Sequence, residues 1–195
     1  MQNPCEIALL LVDTQRMFID REASGVGRNN PDAIKNIGQL LNLFRKYDWP
    51  LFHIRHSSTE PDSELRPERP GFQPVAELAE KHDEPVLIKH VNSAFIGTNL
   101  ENILKSRGIK TILVTGITTN HCCETTARMG GNLGFDVRFI SDATYTFDRN
   151  DIHGNQISAQ HIHDMTLTNL DGEFAIIETT KETIASLMLS TEDIK

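Results

Sequence analysis

Six short apolar runs, each bounded by polar or turn-forming residues, set the rhythm of the chain. IALLLVD (7–13) is continuous and ends in a carboxylate, the pattern of a strand buried on both faces. WPLFHIRH (49–56), PVLIKH (85–90), TILVTG (111–116), DVRFISD (136–142) and FAIIET (174–179) read as five more strands. Between them the period lengthens. In NPDAIKNIGQLLNLFRKY (30–47), Ile34, Ile37, Leu40, Leu41 and Phe44 recur at helical spacing behind Asn30 and Pro31. Further helices are predicted over LENILKSRG (100–108, closed by Gly108), CETTARMGGNLG (123–134), around 157–169 and over KETIASLML (181–189). SSTEPDSELRPERPGFQP (57–74) holds four of the eight prolines and reads as an irregular surface loop.

Strands alternating with helices predict an α/β fold, a parallel six-stranded sheet covered by helices on both faces as a three-layer αβα sandwich. Such sheets carry their sites at the carboxyl ends of the strands. Three residues of apt chemistry fall there. Asp13 closes the first strand, Lys89 stands near the end of the third, and Cys122 follows the fourth. Each alone has an ordinary explanation: a turn former, a solvent-facing lysine, a small apolar residue. Together they suit acyl transfer. A thiol near a helix N-terminus and an ammonium is biased towards thiolate, and a carboxylate can move its proton.

Composition narrows the classes. With 195 residues, 38% hydrophobic and 24% charged, the chain is long enough for one domain, taken as 1–195, and is neither disordered nor membrane-embedded in composition. A net charge of −8 without a basic run argues against nucleic acid as partner. Three cysteines and an acidic, unbasic N-terminus point to a reduced, cytoplasmic protein without a secretory signal.

Three motifs carry a resemblance. LLLVDTQRMF (9–18), LIKHVNSAFIGTNLENIL (87–104) and LVTGITTNHCCETTARMGGNLGFDVRFISDA (113–143) resemble, in order, the acid-bearing first strand, the lysine segment and the cysteine signature of the isochorismatase-like cysteine hydrolases. That family includes nicotinamidases, N-carbamoylsarcosine amidohydrolases and streptothricin hydrolases. The resemblance implies a catalytic triad of Asp13, Lys89 and Cys122, with Cys123 a buried apolar substitute for the family's valine. It also implies a cis peptide between Ile117 and Thr118, and an oxyanion hole from the backbone N–H groups of Thr118 and Cys122. Candidate pocket residues are Phe18, His56, Phe95, Ile117 and Thr119, with Ile96 nearby.

The chain also departs from the family. Nicotinamidases hold a divalent metal with an Asp-x-His pair and a further His; here His56-Ser57-Ser58 stands in that place, so no metal and no cofactor is expected. His53 and His56, three apart on a strand, should face opposite ways. His153, His161 and His163 read as surface residues. The implied activity is hydrolysis of an amide, imide or ureide C–N bond of a small molecule. Vinyl-ether hydrolysis of the isochorismatase type, or a reactive-thiol or binding protein without hydrolysis, remain the alternatives. A homodimer or homotetramer is expected from the resemblance, with TTARMGGNLG offering small residues for close helix packing.

Overall fold

The computed structural model describes residues 4–192; the expected domain, 1–195, runs past these at both ends. In chain order the elements are β1 (Ile7–Val12), α1 (Arg16–Ala23), α2 (Ala33–Tyr47), β2 (Leu51–His56) and β3 (Val86–Lys89). There follow α3 (Leu100–Ser106), β4 (Thr111–Ile117), a π-helical turn (Thr119–Cys123) and α4 (Glu124–Asn132). The described residues continue with β5 (Asp136–Tyr145), a small hairpin of β6 (Arg149–Asn150) and β7 (Gln156–Ile157), then α5 (Ala159–Leu170), β8 (Ile176–Glu178) and α6 (Thr180–Glu192).

Strands β3-β2-β1-β4-β5-β8 form one sheet in that order, and every pairing is parallel. The expected parallel six-stranded sheet, flanked by helices on both faces, is the fold observed. The reason is visible in β1, all six of whose residues are buried. Ala8, Leu10 and Val12 point into a core shared with Leu100 and Leu104 of α3, Ala127 of α4 and Leu170 of α5. Ile7, Leu9 and Leu11 point the other way, onto Ile37, Leu40, Leu41 and Phe44 of α2 and Leu187 of α6. Each such leucine contributes about 1.5–3 kcal/mol of burial, so the run can satisfy only a strand with helices on both sides.

Two features depart from the sequence-based reading. Helix α1 was not expected; in RMFIDREA only Phe18 is buried, so the segment carries no apolar stripe. The loop 57–74 is anchored rather than superficial, with Leu65 and Phe72 buried. Two glycines of α4 allow close approach of neighbouring elements within the chain. A Cβ on Gly130 would lie 2.7 Å from Ile112 of β4, and one on Gly131 would lie 3.0 Å from the Phe174 carbonyl.

The sheet order reverses direction at β1. From there the chain moves out to β2 and β3, and later returns to the other side for β4, β5 and β8. The crevice beyond the carboxyl ends of β1 and β4 is therefore where a site is expected.

Candidate active site

Asp13 leaves β1 with φ +50°, a left-handed conformation that aspartate tolerates better than most residues, and its N–H donates to the Ile54 carbonyl at 2.8 Å. Two residues on, Gln15 is fully buried and braces this turn. Its amide donates to the carbonyls of His56 (3.0 Å) and Phe72 (3.1 Å) and accepts from the His56 N–H (2.8 Å). One side chain thus ties the end of β1 to the end of β2 and to the proline-rich loop. Across the crevice, β4 ends at Gly116 (φ +123°) and Ile117, and the Ile117–Thr118 peptide is cis. A Cβ on Gly116 would sit 1.9 Å from the Val12 carbonyl oxygen, so only glycine allows β4 to pass β1 here. The π-helical turn that follows carries Cys122.

Lys89 ends β3, in register with His56 and two strands away from β1. Its side chain is fully buried and reaches over β2 to the crevice. The ammonium spends its three protons on Asp13 Oδ2 (2.8 Å), His56 Nδ1 (3.2 Å) and Cys122 Sγ (3.3 Å). An ammonium can only donate. His56 Nδ1 must therefore accept, which places the proton of the neutral ring on Nε2. Asp13 Oδ1 is buried and makes no hydrogen bond. Ligand-type atoms of Asp13, His56 and Cys122 lie within 4.8 Å of one another. A carboxylate with an unused lone pair thus sits beside a thiol, with a cation fixing both.

The electrostatics differ from the sequence-based expectation of a thiolate. Burial, and then the Asp13 charge, push the Cys122 thiol up to about 12; Lys89 opposes them without prevailing. The reason is that the Lys89 charge is already matched by Asp13, leaving desolvation to dominate. Burial alone would lower Lys89, but the Asp13 charge, Cys122 and their hydrogen bonds outweigh it and raise the ammonium above its usual range. Burial and the Lys89 charge hold His56 below the usual imidazole range. The resting arrangement is thiol, carboxylate, ammonium and neutral imidazole.

Cys123 is different in kind. It is fully buried in the α3/α4/α5 core, with Sγ 3.9 Å from the Thr115 carbonyl, and burial raises its thiol well above the ordinary value. Cys122 and Cys123 are both free thiols.

The crevice opens into a cleft of about 510 Å³. Of the expected pocket residues, Phe18 and His56 line it, as do Thr118 and Cys122. Three do not. Phe95 is packed in the core against Phe135, their ring centroids 5.8 Å apart. Ile117 is fully buried in a cluster with Tyr145 and Phe147, and Thr119 is fully buried with its hydroxyl 2.9 Å from His163 Nδ1. Ile96 is half exposed and does not line the cleft. That hydroxyl contact also corrects His163, which is a buried residue holding the nucleophile turn through α5; His153 and His161 are exposed as expected. Several lining residues escaped the sequence reading: Arg21 from α1, Asn120 and His121 from the π-helical turn, and Phe147 and Arg149 beyond β5. Gln15 and His121 at least lie inside the quoted motifs.

Asp13, His56 and Cys122 are, among the described residues, a group able to offer three metal ligands. The Lys89 ammonium bonds to all three and fills the position that a cation would need. The nicotinamidase-type metal position fits no better. His56 stands for the aspartate of that motif and Ser58 for its histidine, and His56 Nδ1 is already committed to the Lys89 ammonium at 3.2 Å. As the sequence suggested, His53 faces away, 2.9 Å from Glu84 Oε2. No helix among the described residues is long and apolar enough to cross a membrane.

Comparison with known proteins agrees with this fold. The family model for the isochorismatase domain matches residues 7–182. The isochorismatase family protein YrdC of Bacillus subtilis is 45% identical over 178 residues, covering 91% of this chain and 94% of its own. Nicotinamidase 3 of Arabidopsis thaliana is 30% identical over 190 residues, covering 87% and 83%. Among solved structures, a hydrolase of the isochorismatase family from Chromobacterium violaceum superposes with a TM-score of 0.90 at 39% identity, covering 96% of this chain and 95% of that one.

Proposed function

The chain belongs to the isochorismatase family of hydrolases, and on that premise we propose that it cleaves a C–N bond of a small amide, imide or ureide through a thioester on Cys122. The observation that carries this reading is the three-way contact of Lys89 with Asp13 and Cys122, beside the unpartnered Asp13 Oδ1. Nicotinamidase 3, whose name describes an amide hydrolase, lends the bond type further support.

Asp13 Oδ1 takes the Sγ proton as sulfur attacks the substrate carbonyl. Because the thiol rests at about 12, the two events must be coupled; a free thiolate would be too scarce. Lys89 keeps the transient SH-to-carboxylate proton shift close in energy by balancing whichever partner is negative. The oxyanion is borne by the N–H groups of Thr118 and Cys122. Collapse breaks the C–N bond, and the proton on Asp13 leaves with the amine. Water then attacks the thioester carbonyl and gives its proton to Asp13. The acid is released as the sulfur leaves and recovers that proton.

The test is ammonia or amine release from a panel of small amides, ureides and imides by the wild type, Cys122→Ala and Cys123→Ala. Loss on the order of ten-thousandfold in Cys122→Ala, with Cys123→Ala close to wild type, is the expected result. Undiminished turnover in Cys122→Ala would reject the thiol nucleophile and favour ether cleavage instead.

A further inference from the structure

Position 56 ends β2, and a side chain from β3 that is to reach β1 must pass over it. Lys89 does so. It stands in register with His56 on the neighbouring parallel strand and extends across β2 to Asp13. An ammonium has three protons and, once buried, needs three acceptors. Asp13 Oδ2 and Cys122 Sγ supply two, and His56 Nδ1, at 3.2 Å, supplies the third. Among the described residues His56 makes no side-chain hydrogen bond to Asp13 or Cys122, although a ring nitrogen lies within 4.8 Å of a ligating atom of each. It reaches them only through the ammonium.

The backbone beneath the ring is held where this contact needs it. Gln15 bonds the His56 backbone from both sides, donating to its carbonyl at 3.0 Å and accepting from its N–H at 2.8 Å. The groups that face the ring settle its charge. Burial and then the Lys89 ammonium lower it, and His90 adds to them. Asp13 and a hydrogen bond to the Val91 backbone work in the opposite sense without prevailing. His56 is therefore an uncharged acceptor, and the cluster stays neutral. Lys89 and Asp13 cancel, and moving the Cys122 proton to Asp13 leaves the sum at zero, with one positive charge facing whichever partner is negative. A carboxylate at position 56 would claim the ammonium for itself and set a second negative charge beside the sulfur, raising the thiol further. An apolar side chain would strand a buried N–H.

Building on the hydrolase reading, we propose that His56 is a positioning residue for the attack by Cys122: it takes the third Lys89 proton without adding charge, fixing the ammonium between Asp13 and Cys122 and leaving its whole charge to those two. Substitution can separate the two halves of that role. Asparagine places an uncharged acceptor oxygen near the position of Nδ1. Aspartate has the same shape and differs in charge. Leucine fills similar space and accepts nothing.

The test compares His56→Asn, His56→Asp and His56→Leu by two readouts, with urea unfolding to establish that each is folded. The first needs no substrate: modification of Cys122 by methyl methanethiosulfonate near pH 8.5, followed by peptide mapping. The reagent is uncharged, so its rate reports the thiol and not attraction of the reagent. The expected rate is about tenfold or more lower in His56→Asp than in His56→Asn, the effect of one like charge close to the sulfur. The second readout is turnover of a cleaved amide. There kcat in His56→Asn stays within about tenfold of wild type, while His56→Leu and His56→Asp fall about tenfold or more below His56→Asn, with KM changing less than about threefold throughout. Equal thiol rates in His56→Asn and His56→Asp, turnover in His56→Leu as fast as in His56→Asn, or a loss that appears in KM rather than kcat would overturn the proposal. Comparing His56→Asn with His56→Asp decides even where His56→Leu does not fold. Because the thiol rates are read without substrate, the expected order of rates in a protein that cleaves none of the amides would fault the hydrolase reading and leave the assignment of His56 standing.

Discussion

Lys89 Nζ lies 2.8 Å from Asp13 Oδ2 although β2 separates their strands, and both side chains are excluded from solvent. A buried ion pair is weak evidence for stability, because desolvation offsets most of the Coulomb attraction; removing one partner alone is what costs most. Lys89→Met should therefore destabilise the fold by about 3–5 kcal/mol and abolish turnover. Asp13→Asn combined with Lys89→Met should recover at least half of that loss of stability without recovering activity. Urea unfolding of the two singles and the double checks this, and simple additivity would contradict it.

The raised thiol makes a second prediction with a definite sign. With Cys122 at about 12, the thiolate fraction rises about tenfold per pH unit across pH 7 to 9.5. Modification by methyl methanethiosulfonate should climb with pH over that whole range without a plateau, with exposed Cys5 as internal reference and buried Cys123 silent in native protein. Peptide mapping by mass spectrometry distinguishes the three. A plateau for Cys122 below pH 8 would show a stabilised thiolate and would remove the need for Asp13 as coupled base.

Gln15 predicts a positioning effect. Gln15→Leu keeps the volume but strands the His56 N–H and the carbonyls of His56 and Phe72, so the fold should lose about 2–4 kcal/mol. Since the same bonds hold the backbone beside Asp13 and His56, kcat should fall more than KM rises. Gln15→Glu, which retains the acceptor for the His56 N–H, should lose less stability than Gln15→Leu near pH 4. Urea unfolding with steady-state kinetics is the check.

Glu84 governs acid stability away from the cleft. Burial alone would raise its carboxyl, but the Arg45 fork at 2.6 and 2.8 Å, the Lys81 N–H and His53 outweigh burial and hold it at about 2. A depressed folded-state value means stability that is present above the ordinary 4.5 and lost as pH falls from there through 2. Thermal melts between pH 6 and 2.5 should show this loss in wild type. A Glu84→Gln variant should start lower and fall less steeply.

Much of the molecule is legible in its sequence because the decisive signals are local. The run from Ile7 to Val12 cannot be satisfied except between two helical layers, and placing Asp13 at its end follows from the break in that run. Cys123 reads as core only through the resemblance, in which it stands for the family's valine, because its neighbours from Thr118 to Thr126 are polar. Other features depend on distant segments. Lys89 looks solvent-facing between Ile88 and His90, and its burial follows only once β3 lies beside β2. His163 appears exposed by its spacing to His161, yet docking of α5 onto the π-helical turn buries it against Thr119. Phe95 stands near Lys89 in sequence and so reads as a cleft residue, whereas its stacking on Phe135 turns it into the core. Arg21 and Arg149 come from segments without apolar periodicity, so nothing local marks them.

The central claim is that a covalent acyl group forms on Cys122. It is tested most directly by acid-quenching the enzyme during turnover of a cleaved amide, then locating any acyl mass increment by peptide mapping. The account predicts an increment equal to the substrate acyl group on the peptide containing Cys122, retained in Cys123→Ala and absent in Cys122→Ala. Turnover without an adduct on Cys122, or an adduct on Cys123 or on a carboxylate, would contradict it.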